Sequence, residues 1–380
     1  MTHSALPRVC VVYTHFPHYR QPVFDALTAS TRFSFEFHYD AAGIEKTIVS
    51  GVSQATNHYA MRTRQLGPFQ WQTKAVWLAL RGTADAFIFL GNPFILSTWL
   101  AALIARLRGI PVFFWTHGWL RNETGLREQL RAFFYRLAHG LMLYGHRAKR
   151  LGLERGFASE KLHVIGNSLD YEGQARARDE VLSSPPKALS ASLNKPYFLV
   201  VARLVESAGV DLAIAALARI EWDIALVIVG DGPQRGELEA QARGSGADIR
   251  FTGALYSEDE LAPYFVHCAA VVSPGKVGLL AMHALAYGAA VITHRDVDRQ
   301  MPEFEAIQEG VTGAFFEYGN IEQLASAMTK MIAHPLTEGE VLERRARAIA
   351  TIERGFTPER QLEFIETALT KHDVGPHERA

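Results

Sequence analysis

Residues 271–293 read VVSPGKVGLLAMHALAYGAAVIT. The apolar run Ala269–Val272 leads into a Ser-Pro-Gly-Lys turn. An apolar helix over Gly278–Tyr287 follows, and a second apolar run, Ala290–Thr293, closes the stretch. Continuous short runs of this kind suit parallel strands covered on both faces, and a helix between two of them predicts a strand–helix–strand unit. The same pattern extends outward. Tyr197–Ala202, Ile224–Val229 and Ile249–Thr252 read as strands, with helices over Val210–Arg219, Gln234–Arg243 and Glu258–His267. In the first half Val9–Thr14, Ala86–Leu90 and Pro111–Thr116 read as strands, and Gln21–Ser30, Phe94–Arg108 and Leu126–His139 as helices. After about Ile321 the chain reads as mostly helical, ending in Pro358–Thr370 and a polar tail. The predicted class is α/β, built from doubly wound sheets.

The chain has 380 residues, 48% hydrophobic and 21% charged, which suggests two domains and excludes collagen, coiled coil and disorder. Its net charge of −1 hides an asymmetry. Residues 1–190 hold 22 Lys and Arg against 13 Asp and Glu, a formal +9, and residues 191–380 hold 17 against 27, a formal −10. The sign changes at Ser183-Ser184-Pro185-Pro186, whose composition is that of a surface linker. The expected division is 1–185, 186–355 and a C-terminal helix and tail over 356–380 that returns to the first domain. Cys10 and Cys268 form no disulfide framework or CxxC site, so a reducing cytoplasm is expected. Met1–Arg8 opens no signal peptide. Ala86–Ala105 is uncharged and long enough to span a bilayer, but Gly91-Asn92-Pro93 breaks it into a strand, a turn and a buried helix.

In parallel α/β sheets ligands bind at the carboxyl ends of strands, where helix N-termini expose N–H groups. The second half places VARLVESAGVDL, LVIVGDGPQRGELE, IRFTGAL, VVSPGKVGLLAMHAL and MPEFEAIQEGVTGAFF largely at such ends, in that order. This ordered set resembles the nucleotide-sugar domain of glycosyltransferase family 4, retaining enzymes of the GT-B fold. The resemblance covers about Tyr197–Met331. More loosely, FFWTHGW and KLHVIGNSLD in the first half resemble the family's strand with a His-Gly pair and its segment leading to the linker. It implies two Rossmann-like domains facing a central cleft, with the donor mainly on the second and the acceptor mainly on the first.

The resemblance gives Arg203 the place of the family's diphosphate-binding arginine, a role its forked, permanently charged guanidinium suits. The family's lysine five residues on is Ala208 here, and its two donor-flanking glutamates are Gly275 and His283. Lys276, in the SPGKVG turn, is the candidate to supply the missing positive charge, with Ser207 nearby. His283 can still hydrogen-bond a ribose hydroxyl. Gly275 and Gly278 permit close backbone approach, and the N–H groups of Gly278 and Leu279 open a helix toward an anion. Base selection in this fold uses main-chain groups, here near Ala254-Leu255. The resemblance also implies that His117 contacts a donor-sugar hydroxyl. Trp115 and Trp119 either fill core or stack on a sugar. His15, His18, Tyr19 and Arg20 occupy the first strand-to-helix turn and are candidates for acceptor hydroxyls or a phosphate.

Asp296-Val297-Asp298 has the form of a metal-binding triplet, but a single short carboxylate pair is common in loops. No metal and no cofactor is expected, the nucleoside-diphosphate sugar being a co-substrate. Between Arg106 and Arg155 ten Lys and Arg face only Glu123, Glu128 and Glu154, with Phe133, Phe134, Tyr135 and Leu137 interleaved. That pattern is either a solvated basic face or an interfacial helix meeting anionic lipid. Nucleic acid is not expected, because no recognition motif accompanies the charge.

The leading expectation is a retaining, metal-independent glycosyltransferase acting on a saccharide or lipid-linked saccharide in surface polysaccharide or glycolipid assembly. It would work in the cytoplasm, peripheral to the inner face of the membrane. The alternatives are a degenerate GT-B protein that binds a nucleotide sugar without transfer, a GT-B epimerase, and a nucleic-acid-binding or scaffold protein using the basic half.

Overall fold

The computed structural model describes residues 6–15, 17–41, 57–183, 195–333 and 337–375. The linker sequence from 184 to 194 lies outside the described residues. Contacts divide the chain into two compact units, residues 1–170 with 357–380, and residues 171–356.

The first unit carries β1 (Arg8–Val12), β2 (Ser34–Tyr39), β3 (His58–Ala60), a small antiparallel pair β4 (Arg64–Leu66) and β5 (Phe69–Trp71), β6 (Ala86–Leu90), β7 (Val112–Thr116), β8 (Gly140–Leu143) and β9 (Leu162–Val164). Seven of these form one sheet in the order β3-β2-β1-β6-β7-β8-β9, parallel throughout. Both of its faces are buried, as the unbroken apolar runs require. On β6, Phe87 and Phe89 enter the core with Phe114, Trp119 and Phe134. Ala86 and Ile88 enter the opposite core with Phe24, Phe113 and Trp115. Alternate residues of one strand therefore feed different layers. The helix Pro358–Thr370 completes the second layer with Ile365, Ala368 and Leu369. Its start is fixed by Thr357, whose side chain accepts from the Arg360 N–H, and by Pro358 in the first turn.

The second unit carries β10 (Tyr197–Val201), β11 (Ala225–Val229), β12 (Asp248–Gly253), β13 (Ala270–Ser273), β14 (Val291–His294) and β15 (Gly313–Phe316). They pair in parallel in the order β12-β11-β10-β13-β14-β15. Counted within the unit this is 3-2-1-4-5-6, the Rossmann order, which reverses between β10 and β13. The helix Glu258–His267 opens on a full capping box from Ser257 and Glu260. The helix Tyr171–Ser183 precedes the linker sequence yet groups with this unit. Arg178 Nη1 donates to the Ala286 carbonyl at 2.8 Å. The main chain thus passes between units at residue 170, while the sequence placed the boundary at 185.

The uncharged stretch from residue 86 resolves into β6 and the helix Leu96–Leu107. Among the described residues no helix is long and apolar enough to cross a membrane.

Candidate active site

The order reversal of the second unit is where a doubly wound sheet opens a crevice beyond its strand ends. A cavity of about 230 Å³ lies there, lined by Arg203, Ser207 and Ala208 after β10 and by Pro274, Lys276 and Leu280 after β13. Arg203 and Lys276 are both exposed, and among the described residues neither side chain has an ion-pair or hydrogen-bond partner. Two unneutralised cations on one small cavity raise its positive potential, which favours an anionic ligand. The helix Leu279–Ala286 begins at its edge with no side chain capping it at Gly278. Its first N–H groups, including that of Leu279, have no intrahelical acceptors, so they add to the positive potential.

The two loops that hold these groups touch backbone to backbone. The Gly275 N–H donates to the Ala208 carbonyl at 3.0 Å. A Cβ on Gly275 would stand 2.2 Å from the Ser207 carbonyl oxygen and 2.8 Å from the Ala208 carbonyl, so only glycine fits. Gly209 turns the chain at φ +64°, in the left-handed region that glycine adopts readily. The close approach at Gly275 is therefore to the neighbouring loop. Gly278 has no such neighbour, Met301 being 3.6 Å from its Cβ position.

Gln300 braces the second loop, and sequence reading passed over it. Its Oε1 accepts from the Val277 N–H at 2.7 Å, and its Nε2 donates to Thr293 Oγ1 at 3.0 Å and to the His294 carbonyl at 2.8 Å. A buried glutamine with three good partners locks the turn to the end of β14. No local motif marks this, because the partners lie on separate segments.

His283 has a carboxylate partner that its sequence neighbourhood does not contain. Its Nε2 lies 2.8 Å from Glu258 Oε1. The Tyr287 hydroxyl donates to the other Glu258 oxygen, and Gln174 Nε2 reaches Oε1 at 3.5 Å. Burial acts to raise the Glu258 carboxyl, but the hydrogen bond from His283 leads a set that outweighs it and holds the group below its ordinary value. A ribose ligand at His283 would thus meet a ring already oriented by Glu258. Leu255 is half-buried in the loop after β12.

In the first unit His117 follows β7 and is half-buried, 4.8 Å centroid to centroid from the Tyr144 ring. Burial, and then the nearby Arg20 charge, push it down to about 4, so it is a neutral imidazole at pH 7. The turn His18–Arg20 leads into the helix Gln21–Thr28, with His18 exposed, Tyr19 half-buried and Arg20 buried. His15 Nδ1 lies 3.2 Å from Thr14 Oγ1. Of the aromatic candidates, Trp115 and Trp119 are both wholly buried, and Trp119 Nε1 donates to Glu128 Oε1 at 2.7 Å. Both therefore fill core, and neither stacks on a sugar. Phe134 and Tyr135, expected on the interfacial helix, are core residues as well, because they point inward from Leu126–Arg136. Asp296 accepts from the Asp298 N–H at 3.1 Å and from Arg299 Nε at 3.1 Å, which folds the triplet into a turn.

This architecture, two Rossmann-like units each with a parallel sheet, is the GT-B fold. Solved structures across the whole chain share it. A lipopolysaccharide outer core galactosyltransferase, WaaB, in its apo form superposes with a TM-score of 0.71 at 16% identity, covering 96% of this chain and 99% of its own. HepE from Anabaena, solved with UDP, gives 0.70 at 17% identity, covering 96% and 100%. A glycosyltransferase from Rickettsia africae gives 0.68 at 13% identity, covering 97% and 99%. Residues 195–334 match the family model described as Glycosyl transferases group 1, which supports glycosyl transfer. No curated protein matches the chain.

Proposed function

We propose that this protein is a retaining glycosyltransferase that moves a sugar from a nucleoside-diphosphate sugar to a saccharide or lipid-linked saccharide, in surface polysaccharide or glycolipid assembly. The observation that carries this reading is the pair Arg203 and Lys276 on one cavity at the order reversal of the second unit. Lys276 stands in for the charge missing at Ala208. Together with the N-terminus of Leu279–Ala286, these groups meet the charge that grows on the diphosphate as the glycosidic bond breaks. Ser207 and the main chain near Leu255 contribute hydrogen bonds to the donor, and His283, oriented by Glu258, contacts its ribose. His117, as a neutral imidazole, donates to or accepts from a sugar hydroxyl. The leaving diphosphate helps to deprotonate the acceptor hydroxyl, so the reaction needs no side-chain nucleophile and no metal ion. HepE was solved with UDP, so UDP-sugars are the first donors to test. The test is a nucleotide-sugar screen followed by product analysis, with the anomeric configuration read by NMR. An inverted product overturns retention, and loss of turnover in EDTA overturns metal independence.

The reading includes peripheral attachment at the cytoplasmic face of a membrane. Its support is a band of exposed apolar side chains on three helices of the first unit. Trp77 and Leu80 lie on Thr73–Arg81, Leu100, Leu103 and Leu107 on Leu96–Leu107, and Leu130 and Phe133 on Leu126–Arg136. These helices adjoin, since Arg108 Nη1 donates to the Ala79 carbonyl and the Trp99 ring lies 5.9 Å from that of Phe133. Arg81, Arg106, Arg108 and Arg127 border the band, an arrangement that suits anionic lipid. Pelleting with phosphatidylglycerol vesicles but not phosphatidylcholine vesicles is the expected result. No pelleting at low salt rejects it.

A second reading, donor binding without transfer, is favoured by Ala208 and by the glycine-only position 275. Saturable nucleotide-sugar binding with no turnover on any acceptor would select it.

A further inference from the structure

Arg20 is 7% exposed, and its guanidinium lies between two aromatic rings, 5.1 Å from the Tyr144 centroid and 5.7 Å from that of Trp115. The guanidinium hydrogen-bonds the Tyr144 hydroxyl, and its contact from Nη1 to Tyr13 Oη is long at 3.5 Å. Among the described residues no carboxylate pairs with it. A buried cation without a counter-charge is unfavourable, and cation–π contacts offset only part of that cost. Tyr13, Trp115 and Tyr144 lie at or just past the carboxyl ends of β1, β7 and β8, the side of the sheet on which this fold binds ligands. His117 lies against the same Tyr144 ring.

We infer that Arg20, with the phenols of Tyr13 and Tyr144, binds a phosphate group, so that the acceptor is a phosphorylated saccharide or a lipid-linked sugar phosphate. The guanidinium fork matches phosphate oxygens, and the phenols donate to them. The word acceptor rests on the transferase reading. The phosphate site does not depend on it.

The test uses the full chain, saturated with UDP to occupy the second unit, and titrates inorganic phosphate by calorimetry. The Arg203→Ala/Lys276→Ala variant, which lacks both cations of the second unit's cavity, gives the same measurement if UDP does not bind the parent. One phosphate per chain is expected. Arg20→Met should weaken it at least tenfold, and Arg203→Ala/Lys276→Ala should leave it unchanged. Because Met removes an uncompensated buried charge, the melting temperature of Arg20→Met without phosphate should equal or exceed that of the parent. Arg20→Lys, which keeps the charge but loses the fork, should also weaken phosphate and serves if the Met variant fails to fold. Absence of phosphate binding, or binding unaltered in both Arg20 variants, overturns the inference. So does a sharp fall in melting temperature for a folded Arg20→Met, which would make Arg20 a structural residue. Equal competition by acetate overturns the assignment to phosphate.

Discussion

Gly275→Ala removes nothing and adds one carbon, yet it should damage the candidate donor site more than most deletions around it. The new Cβ would lie 2.2 Å from the Ser207 carbonyl oxygen and 2.8 Å from the Ala208 carbonyl carbon and oxygen. These are backbone atoms, so no side-chain rotation relieves the overlap. The turn Glu206–Ala208 must move, and the bond from Gly275 N–H to the Ala208 carbonyl is lost with it. Losing that bond costs about 1 kcal/mol, and forcing a methyl group into a packed contact costs about 1–3 kcal/mol. The total is about 2–4 kcal/mol, or roughly 5–12 °C of melting temperature for a unit of this size. Ser207 lies on the displaced turn, and Arg203 leads into it, so nucleotide affinity should fall at least tenfold. The control is Gly278→Ala, whose Cβ meets only Met301 at 3.6 Å and should cost about 1 kcal/mol or less. Thermal denaturation and UDP calorimetry on both variants check this. If Gly275→Ala melts within about 2 °C of the parent and keeps its UDP affinity, the account of these two loops is wrong. The same geometry predicts that Gly275→Glu, which restores the residue of the resembled family, lowers activity.

Lys276→Ala should weaken UDP about 10–100-fold, the value of a charge-assisted contact of about 1.5–3 kcal/mol, as read by calorimetry. Ala208→Lys places a third cation on the same cavity and should tighten UDP, and weaker binding would show that the cavity has no room for it. Glu258→Gln leaves the His283 ring without its anion and should raise KM for the donor, while the His267→Gln control, at the far end of the same helix, should leave KM unchanged. His38 and His117 are both held near 4 chiefly by burial, so they are neutral in the folded protein and protonate first in the unfolded chain. Their stabilisation is full above about pH 6.5, the unfolded value, and is lost as pH falls toward 4. By pH 5 each should cost about 2 kcal/mol, seen as a lower urea midpoint.

Legibility in the sequence followed the range of the interactions. The helices Glu258–His267 and Pro358–Thr370 match the sequence reading because their caps, Ser257 with Glu260 and Thr357 with Pro358, are local. Strands β10, β11 and β13 were legible as apolar runs buried on both faces. Strand β2 was not, because Glu36 and His38 interrupt SFEFHY, and His38 is nonetheless buried. Strand β15, GAFF, is too short to show a period. Arg203 and Lys276 were legible as residue types at strand ends, and their shared cavity follows from the strand order. The contact between Gly275 and the turn Glu206–Ala208, the pairing of His283 with Glu258, and the burial of Arg20 were not legible. Each is fixed by segments distant in sequence, and an arginine in a polar stretch gives no local sign that it will be enclosed by aromatic rings.

The central claim is that the second unit holds a nucleoside diphosphate through Arg203 and Lys276. Calorimetric titration of UDP, GDP and dTDP into the parent protein and into Arg203→Ala tests it most directly. One nucleotide should bind one per chain to the parent and at least tenfold more weakly to the variant. Failure of all three to bind, or equal binding to both proteins, would contradict it.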